Sequence, residues 1–104
     1  VEGQPHRVVE YINDNTVIEQ KKGEKVGVIT AGEQEERYVA PVVRNLGSRA
    51  DEEAIARHLY TALREMDDEG VTRIFSESFD DKGFGQAIMN RLLKAAGHQV
   101  VRLQ

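Results

Sequence analysis

The sequence predicts an α/β fold, a sandwich of helices on a mostly parallel sheet of four or five strands. Three observations lead to this prediction. Short runs of β-branched residues, such as 25–30, are typical of buried strands. Longer segments with apolar residues at helical spacing lie between these runs. Glycines separate the two kinds of segment, and strands that alternate with helices along a chain favour a parallel sheet.

The chain of 104 residues has the size and composition of one globular domain. Its hydrophobic fraction of 39% and its charged fraction of 31% are ordinary for such a domain. The net charge of −4 disfavours autonomous binding to nucleic acid, which attracts basic surfaces. Cysteine is absent, which excludes disulfides and thiolate metal sites.

No apolar run reaches the roughly 18–20 residues that a membrane span needs, and no signal peptide is visible. We therefore expect a cytoplasmic protein with no membrane partner. Because the chain begins with Val1 instead of methionine, we also expect either a processed protein or a part excised from a longer one.

The first predicted helix begins at Pro5, because a proline costs no hydrogen bond in the first helical turn. The polar residues 13–15 weaken its middle, so the pattern leaves its length open. Lys21, Lys22 and Gly23 are typical of a helix end, with cations in the last turn and then a glycine. The predicted apolar face contains Val8, Val9, Tyr11, Ile12 and Ile18.

Two strands are predicted next. Residues 25–30 predict a buried strand that ends at Ala31-Gly32. The polar residues 33–37 fit either a loop or a short helix. Residues 38–46 predict a second strand, in which Pro41 indicates either a later start or an edge position.

The second helix carries the clearest signals. Ser48 is followed three residues later by Asp51, which predicts a capping box at its start. Gly70 ends the helix, and residues 71–76 predict the third strand. The predicted apolar face contains Ile55, Leu59, Ala62, Leu63 and Met66.

The last third of the chain predicts a polar loop over 78–82, a glycine turn over 83–85 that opens a helix, and a strand over 99–103. A further strand that ends at Val1 would bring the sheet to five. A glycine turn before a helix either presents backbone N–H groups to an anion or lets the helix pack close to the sheet. The Gly-x-Gly-x-Ala spacing does not complete the dinucleotide fingerprint, and close packing is the favoured role.

Ligands of open α/β sheets bind beyond the carboxyl ends of the strands, which directs attention to three loops, 30–33, 46–49 and 76–85. Two of these loops, at Gly47-Ser48 and at the glycine turn, precede predicted helix starts and are candidates for contact with an anion. The polar and glycine residues of the three loops are Thr30, Gly32, Gly47, Ser48, Ser76, Glu77, Ser78, Gly83 and Gly85.

Candidates for catalysis are few. Glu77 is the best single acid because it follows a strand, although a solvated or helix-capping carboxylate is the favoured interpretation. His6, His58 and His98 lie on different elements, have no metal-ligand spacing and fit surface or capping roles. We predict no catalytic and no metal-ligating residue.

Four polar residues on the two C-terminal helices are predicted to serve structure or contact with another domain. Arg64 and Asp67 are three residues apart and suited to form an intrahelical pair. Asn90 and Arg91 lie in the middle of the last helix, where the stem of the arginine is suited to cover apolar surface.

Residues 59–67 have the pattern Leu-Tyr-x-Ala-Leu-Arg-x-x-Asp, and residues 83–92 have the pattern Gly-x-Gly-x-Ala-Ile-x-Asn-Arg-Leu. Together these two motifs resemble the C-terminal domain of long-form threonylcarbamoyl-AMP synthase, the two-domain enzyme with a YrdC-like catalytic part. The strong match covers residues 46–97. Phe84 departs from the leucine that the family usually has between the glycines.

The resemblance implies a three-layer Rossmann-like accessory domain that spans residues 1–104. It also implies a role in making the threonylcarbamoyladenosine modification of tRNA. The whole enzyme of this family is a nucleotidyltransferase that joins threonine, bicarbonate and ATP, with magnesium, in its N-terminal domain. The Lys-Arg and Ser-x-Asn-x-Ser-Gly signatures of that domain and the His-Tyr-x-Pro motif of the linker have no counterpart here.

The resemblance therefore implies a chain that is inactive alone, has no cofactor of its own, and has the catalytic domain of the same polypeptide as its partner. Contact with tRNA is expected to be indirect, and weak nucleotide binding is left open. The alternative is a stand-alone module that binds a nucleotide or a phosphate. The predicted ligand or interdomain contacts are Gly47, Ser48, Arg64, Asp67, Glu77, Gly83, Gly85, Asn90 and Arg91.

Overall fold

The computed structural model describes residues 1, 3–33, 35–79, 88, 90 and 91. Within them the chain forms an α/β fold in which helices and strands alternate. The elements are α1 (Pro5–Lys21), β1 (Val26–Thr30), a 3₁₀ helix (Glu35–Arg37), β2 (Val42–Asn45), α2 (Glu52–Asp68) and β3 (Arg73–Ser76).

The three described strands form one parallel sheet in the order β2-β1-β3. Val28 in β1 lies opposite Val43 of β2 and Phe75 of β3. The described part of the chain thus contains three strands, not the predicted four or five. The strand predicted over 99–103 and the glycine turn over 83–85 lie outside the described residues.

Val1 pairs with the chain just beyond β3. Its amino group donates a hydrogen bond to the carbonyl of Ser76 at 2.6 Å, and its carbonyl accepts one from the amide of Ser78 at 3.0 Å. One residue that bonds to two positions spaced two apart is the pattern of a parallel ladder. The backbone at Val1 therefore lies beside the extension of β3, whereas the further strand predicted to end at Val1 stays a prediction.

Two hydrophobic clusters cover the two faces of the sheet. The α1 cluster joins Val8, Val9 and Ile12 to Val26 and Val28 of β1. On the opposite face, the α2 cluster joins Ile55, Leu59, Ala62 and Met66 to Ile29 and Val42, and the helical residue Ile88 packs into it. Because neighbouring residues of a strand point to opposite faces, each strand contributes to both clusters.

The first helix follows its predicted start but not its whole predicted face. Pro5 is its first residue, and the helix continues through the polar residues 13–15 to Lys21. Ile18 is 48% exposed, whereas Thr16 is fully buried. Thr16 lies four residues after Ile12, on the same stripe, and its hydroxyl donates to the Ile12 carbonyl at 2.7 Å. The internal hydrogen bond allows a polar residue to take the buried position.

The second strand is shorter than predicted. It begins at Val42, directly after Pro41, and not at residue 38. Tyr38 is instead a buried loop residue that packs into the α1 cluster. Pro41 has no backbone N–H for a ladder, which explains why the strand starts only after it.

The predicted capping box at Ser48 is wrong. The N-cap of α2 is Asp51, whose carboxylate accepts from the Ala54 amide at 3.1 Å. Ser48 instead begins a turn, in which its carbonyl accepts from the Asp51 amide at 3.0 Å and its hydroxyl accepts from the Ala50 amide at 3.2 Å. Aspartate is as good an N-cap as serine, so both positions had the required chemistry.

Gly27 allows α2 to lie close to the centre of the sheet. A Cβ atom at this position would lie 3.0 Å from the Met66 sulfur and 3.1 Å from the Cγ1 of Val71. The absence of a side chain at Gly27 therefore sets the distance between α2 and β1.

Candidate functional site

A crevice opens at the carboxyl ends of β1 and β3. The chain leaves β1 towards the α1 face, because Tyr38 packs into the α1 cluster. It leaves β3 towards the opposite face, because Phe79 packs against the α2 cluster. Adjacent parallel strands whose connections diverge in this way leave a gap between them, the place where open α/β sheets bind ligands.

The crevice has a volume of about 520 Å³ and is lined from four segments of the chain. The entering segment, the loop after β1, the loop after β2 and the loop after β3 all contribute. The lining residues are Val1, Gly3, Pro5, Val8, Ala31, Gly32, Glu33, Arg49, Glu77 and Ser78.

Glu77 is the buried polar centre of this site and is only 5% exposed. Its carboxylate accepts hydrogen bonds from the hydroxyl of Thr30 at 2.5 Å, from the phenol of Tyr38 and from the guanidinium of Arg49. We call these four residues the Glu77 cluster. Three donors around one carboxylate satisfy most of its acceptor capacity, which is what a buried charge requires.

The cluster holds Tyr38 in its neutral form. Burial raises the pKa of the Tyr38 phenol, and the hydrogen bond to Glu77 and the negative charge of that carboxylate raise it further. Tyr38 is therefore a persistent donor to Glu77 and not a proton acceptor.

Arg49 connects the buried cluster with the open crevice. Its side chain is 47% exposed, and one terminal nitrogen bonds to Glu77. The other donates to the carbonyl of Ser78 at 3.0 Å, and the guanidinium lies 5.0 Å from the ring centroid of Phe79. Three contacts thus define the orientation of a half-exposed cation.

The structure brings together residues from all three predicted loops. Thr30, Gly32, Glu77 and Ser78 meet at the crevice as the topology predicts. The favoured interpretation of Glu77 as a solvated or capping carboxylate is wrong, because three side chains enclose it.

Sequence reasoning missed Arg49 and Tyr38. Arg49 lies in the loop 46–49, which was already a candidate for ligand binding. A cationic side chain in that loop could have identified it as a site residue. Tyr38 was not considered, because residues 38–46 were predicted to form a strand and only loop residues were site candidates.

Gly47 and Ser48 lie beside the crevice, not in its lining. Gly47 has a φ of +106°, and its carbonyl accepts from the amide of Gly32 at 2.8 Å. The start of α2 already holds the carboxylate of Asp51, with Glu52 and Glu53 in the first turn. These acids disfavour an anion at that helix end. A contact role for Gly47 and Ser48 stays a prediction.

A second group of predicted contact residues surrounds Tyr60. This tyrosine is 52% exposed on α2. The guanidinium of Arg64 lies 5.8 Å from its ring centroid, and that of Arg91 lies 5.3 Å from it. Asn90 is exposed on the same helical segment as Arg91. The guanidinium of Arg91 thus lies over an aromatic ring, whereas the role predicted for its stem stays a prediction.

The remaining predictions divide into three groups. Asp67 is exposed, and the described residues show no ion pair between it and Arg64. The Nδ1 atom of His58 lies 3.0 Å from the carbonyl of Leu46, which fits a structural role. Gly83 and Gly85 lie outside the described residues.

The described part of the chain contains no group of three or more His, Cys, Asp or Glu residues arranged to hold a metal ion. Whether this chain has a cofactor of its own stays a prediction. Among the described helices, none is long and apolar enough to cross a membrane.

These features define a parallel α/β domain with a crevice where the chain leaves β1 and β3 in different directions. The family model of the threonylcarbamoyl-AMP synthase C-terminal domain matches residues 3–97. The chain belongs to this family.

Two curated relatives are full threonylcarbamoyl-AMP synthases. The chain is 46% identical over 101 residues to that of Bacillus subtilis, covering 97% of this chain and 28% of the relative. It is 41% identical over 103 residues to that of Pyrococcus abyssi, covering 99% of this chain and 28% of the relative. The chain thus spans just over a quarter of the length of either relative.

Solved structures give the same picture. The chain matches a doubly substituted Sua5 of Pyrococcus abyssi with a TM-score of 0.84 and 40% identity, over 98% of this chain and 28% of that one. It also matches the C-terminal Sua5 domain of a Pyrococcus horikoshii protein with a TM-score of 0.73 and 35% identity. That match covers 98% of this chain and 91% of the other, so the fold is that of a domain solved by itself.

Proposed function

We propose that this chain is the accessory domain of an ATP-dependent threonylcarbamoyl-AMP synthase in the biosynthesis of threonylcarbamoyladenosine in tRNA. In this role it packs on the catalytic domain of the same polypeptide and helps position the linker between the two domains. ATP, with magnesium, acts in the catalytic domain, and tRNA meets this chain only indirectly. The cytoplasm is the location that fits this role.

The observation that carries the proposal is the position of the entering segment. Val1 is held in a parallel ladder pattern beside the extension of β3, and Gly3 and Pro5 line the crevice. A polypeptide that arrives from a preceding domain would thus be held by backbone hydrogen bonds next to the Glu77 cluster. A held segment has a defined direction, which is what positioning a linker requires.

The Tyr60 group supplies a candidate contact with the catalytic domain. Tyrosine and arginine are enriched at protein interfaces because they combine large contact area with hydrogen bonding. Stacking on Tyr60 restricts the side chains of Arg64 and Arg91 before any partner binds. Less side-chain entropy is then lost on association.

A reconstitution experiment tests the proposal. This chain is mixed with the separately produced catalytic domain of the same enzyme, and pyrophosphate release and ATP affinity are measured. We expect the chain alone to release no pyrophosphate. We expect the mixture to release pyrophosphate faster than the catalytic domain alone. Absence of both binding and any change in the two quantities would contradict the accessory role.

A matched pair of variants locates the contact. Arg91→Ala should weaken association with the catalytic domain by about tenfold or more if the Tyr60 group lies in the interface. Arg7→Ala removes an exposed arginine on α1, on the opposite face of the sheet, and should leave association unchanged. Equal effects of the two changes would indicate general electrostatics in place of a defined interface.

A further inference from the structure

The crevice combines the properties of a small-molecule site. It lies where β1 and β3 send their connections to opposite faces of the sheet, the position at which open α/β sheets bind ligands. Its volume of about 520 Å³ falls in the ordinary range of ligand pockets. Its lining mixes apolar residues with few polar groups, as in most such pockets.

Arg49 is the group in the crevice that is best prepared to bind a ligand. Glu77, the Ser78 carbonyl and the Phe79 ring hold its guanidinium from three directions. A guanidinium has five N–H donors in a rigid fork, and the contacts named here use two of them. The side chain is still 47% exposed, so donors remain for a group that enters from solvent. A fork with fixed orientation suits a carboxylate or a phosphate.

The surrounding charges set the size of the anion. Glu77 balances part of the charge of Arg49, and Glu33 contributes a second carboxylate to the lining. Among the described side chains of the lining, one arginine beside two acids suits a single anionic group and disfavours a polyphosphate. The start of α1, at Pro5, faces the same space and adds the positive end of a helix dipole.

We propose that the crevice binds a small metabolite through one carboxylate or phosphate group held by Arg49, while Glu77 keeps the guanidinium in place. The proposed binding rests on the crevice and on Arg49, and it does not depend on the accessory role proposed above. It concerns different residues from the glycine turns predicted from the sequence.

The test is a titration of the isotopically labelled chain, followed by NMR at constant ionic strength. Inorganic phosphate, AMP and L-threonine are the probes, since they present a phosphate alone, a phosphate with a base, and a carboxylate with an amine. The expected result is saturable shifts of the Gly3, Gly32 and Ser78 amides by at least one probe, with a Kd of about 1 mM or lower. The probe with the lowest Kd of the three identifies the anionic group.

Variants separate the fork of Arg49 from general charge. Arg49→Gln should weaken binding about tenfold or more, whereas Arg44→Gln removes an equal charge outside the crevice and should leave the Kd unchanged. If Arg49→Gln does not fold by circular dichroism, Arg49→Lys keeps the charge without the fork. It should bind at least about threefold more weakly than the original chain.

Three results would overturn the proposal. The first is that no probe saturates up to about 10 mM. The second is that the shifts lie away from the crevice. The third is that the folded Arg49 variant binds as tightly as the original chain.

Discussion

Two clusters of charged side chains in this domain have similar chemistry and opposite surroundings. In the Glu77 cluster, a carboxylate that is 5% exposed receives three side-chain donors at the crevice. In the second cluster, Arg44 on β2 meets Glu69 at 2.5 Å and Glu65 at 3.6 Å. Both glutamates of that cluster are about half exposed, at 44% and 50%.

The difference in burial changes what each cluster contributes. Water and salt screen the Arg44 pairs, so they are expected to add little to stability. The Glu77 carboxylate has left water, and its three donors replace the lost hydration. Removing one member of a buried cluster leaves the other members without hydrogen-bond partners. Removing one member of an exposed cluster lets the other members bond to water. The comparison predicts unequal effects from chemically equal substitutions.

The largest effect is expected from Glu77→Ala. The hydroxyls of Thr30 and Tyr38 lose their acceptor in a buried site, and the free energy of unfolding should fall by about 3 kcal/mol. The matched change Glu69→Ala should cost less than about 1 kcal/mol. Urea denaturation at neutral pH measures both values.

Glu77→Gln is the control for shape. It retains one acceptor oxygen in nearly the same volume and should be less destabilising than the alanine variant. Equal costs for Glu77→Ala and Glu69→Ala would show that burial does not decide the energetics of these clusters.

A smaller effect is expected from Tyr38→Phe, which removes a hydrogen bond to a charged acceptor. The cost at neutral pH should be about 1.5 kcal/mol. The pKa of Tyr38 is raised above the free value of about 10. The contribution of the neutral phenol is therefore complete below about pH 10 and decreases as the pH rises above it, because the unfolded chain then loses a proton that the folded chain keeps.

Stability measurements across alkaline pH check this sign. The difference in unfolding free energy between the original chain and Tyr38→Phe should be constant from neutral pH to about pH 9 and shrink above about pH 10. The difference in tyrosinate absorbance between the original chain and Tyr38→Phe reports the ionisation of Tyr38. This phenol should ionise only when the folded chain unfolds. Ionisation of Tyr38 in the folded chain at its free pKa would contradict the enclosed position.

The smallest effect is expected from Arg44→Gln. Its ion pairs with Glu65 and Glu69 are exposed, so the loss should be about 0.5 kcal/mol and should diminish further as salt screens the original pairs. Urea denaturation at low and at high sodium chloride concentration measures this. A cost that is large and insensitive to salt would mean that the exposed cluster contributes like the buried one.

Much of the fold was predictable because its signals are local. Pro5 at a helix start, Gly23 and Gly70 after helix ends, and the β-branched run that became β1 all act on the neighbouring backbone. The errors occurred where two local signals competed. Ser48 and Asp51 are both good caps, and the turn at Ser48 left Asp51 to begin α2. Ile18 was assigned to a face that Thr16 occupies, because an internal hydrogen bond makes a buried hydroxyl acceptable.

The candidate site was predictable in position but not in composition. The rule that ligands lie beyond the carboxyl ends of parallel strands indicated the loops that contain Thr30, Gly32 and Glu77. It did not indicate that Tyr38 and Arg49 would reach the same carboxylate, because they are separated from Glu77 by 39 and 28 residues. Contacts over such distances depend on how the loops fold over the sheet.

The amino-acid sequence by itself determined the alternation of helices and strands and the two motifs that indicate the family, because periodicity, caps and glycines are properties of short segments. Only the tertiary structure decided that β1 lies between β2 and β3 and that Glu77 is buried. It also decided that Arg49 is held at the mouth of the crevice. The physical reason is that burial, and with it the energy of a charge, is set by residues distant in the chain that meet only when the sheet has formed.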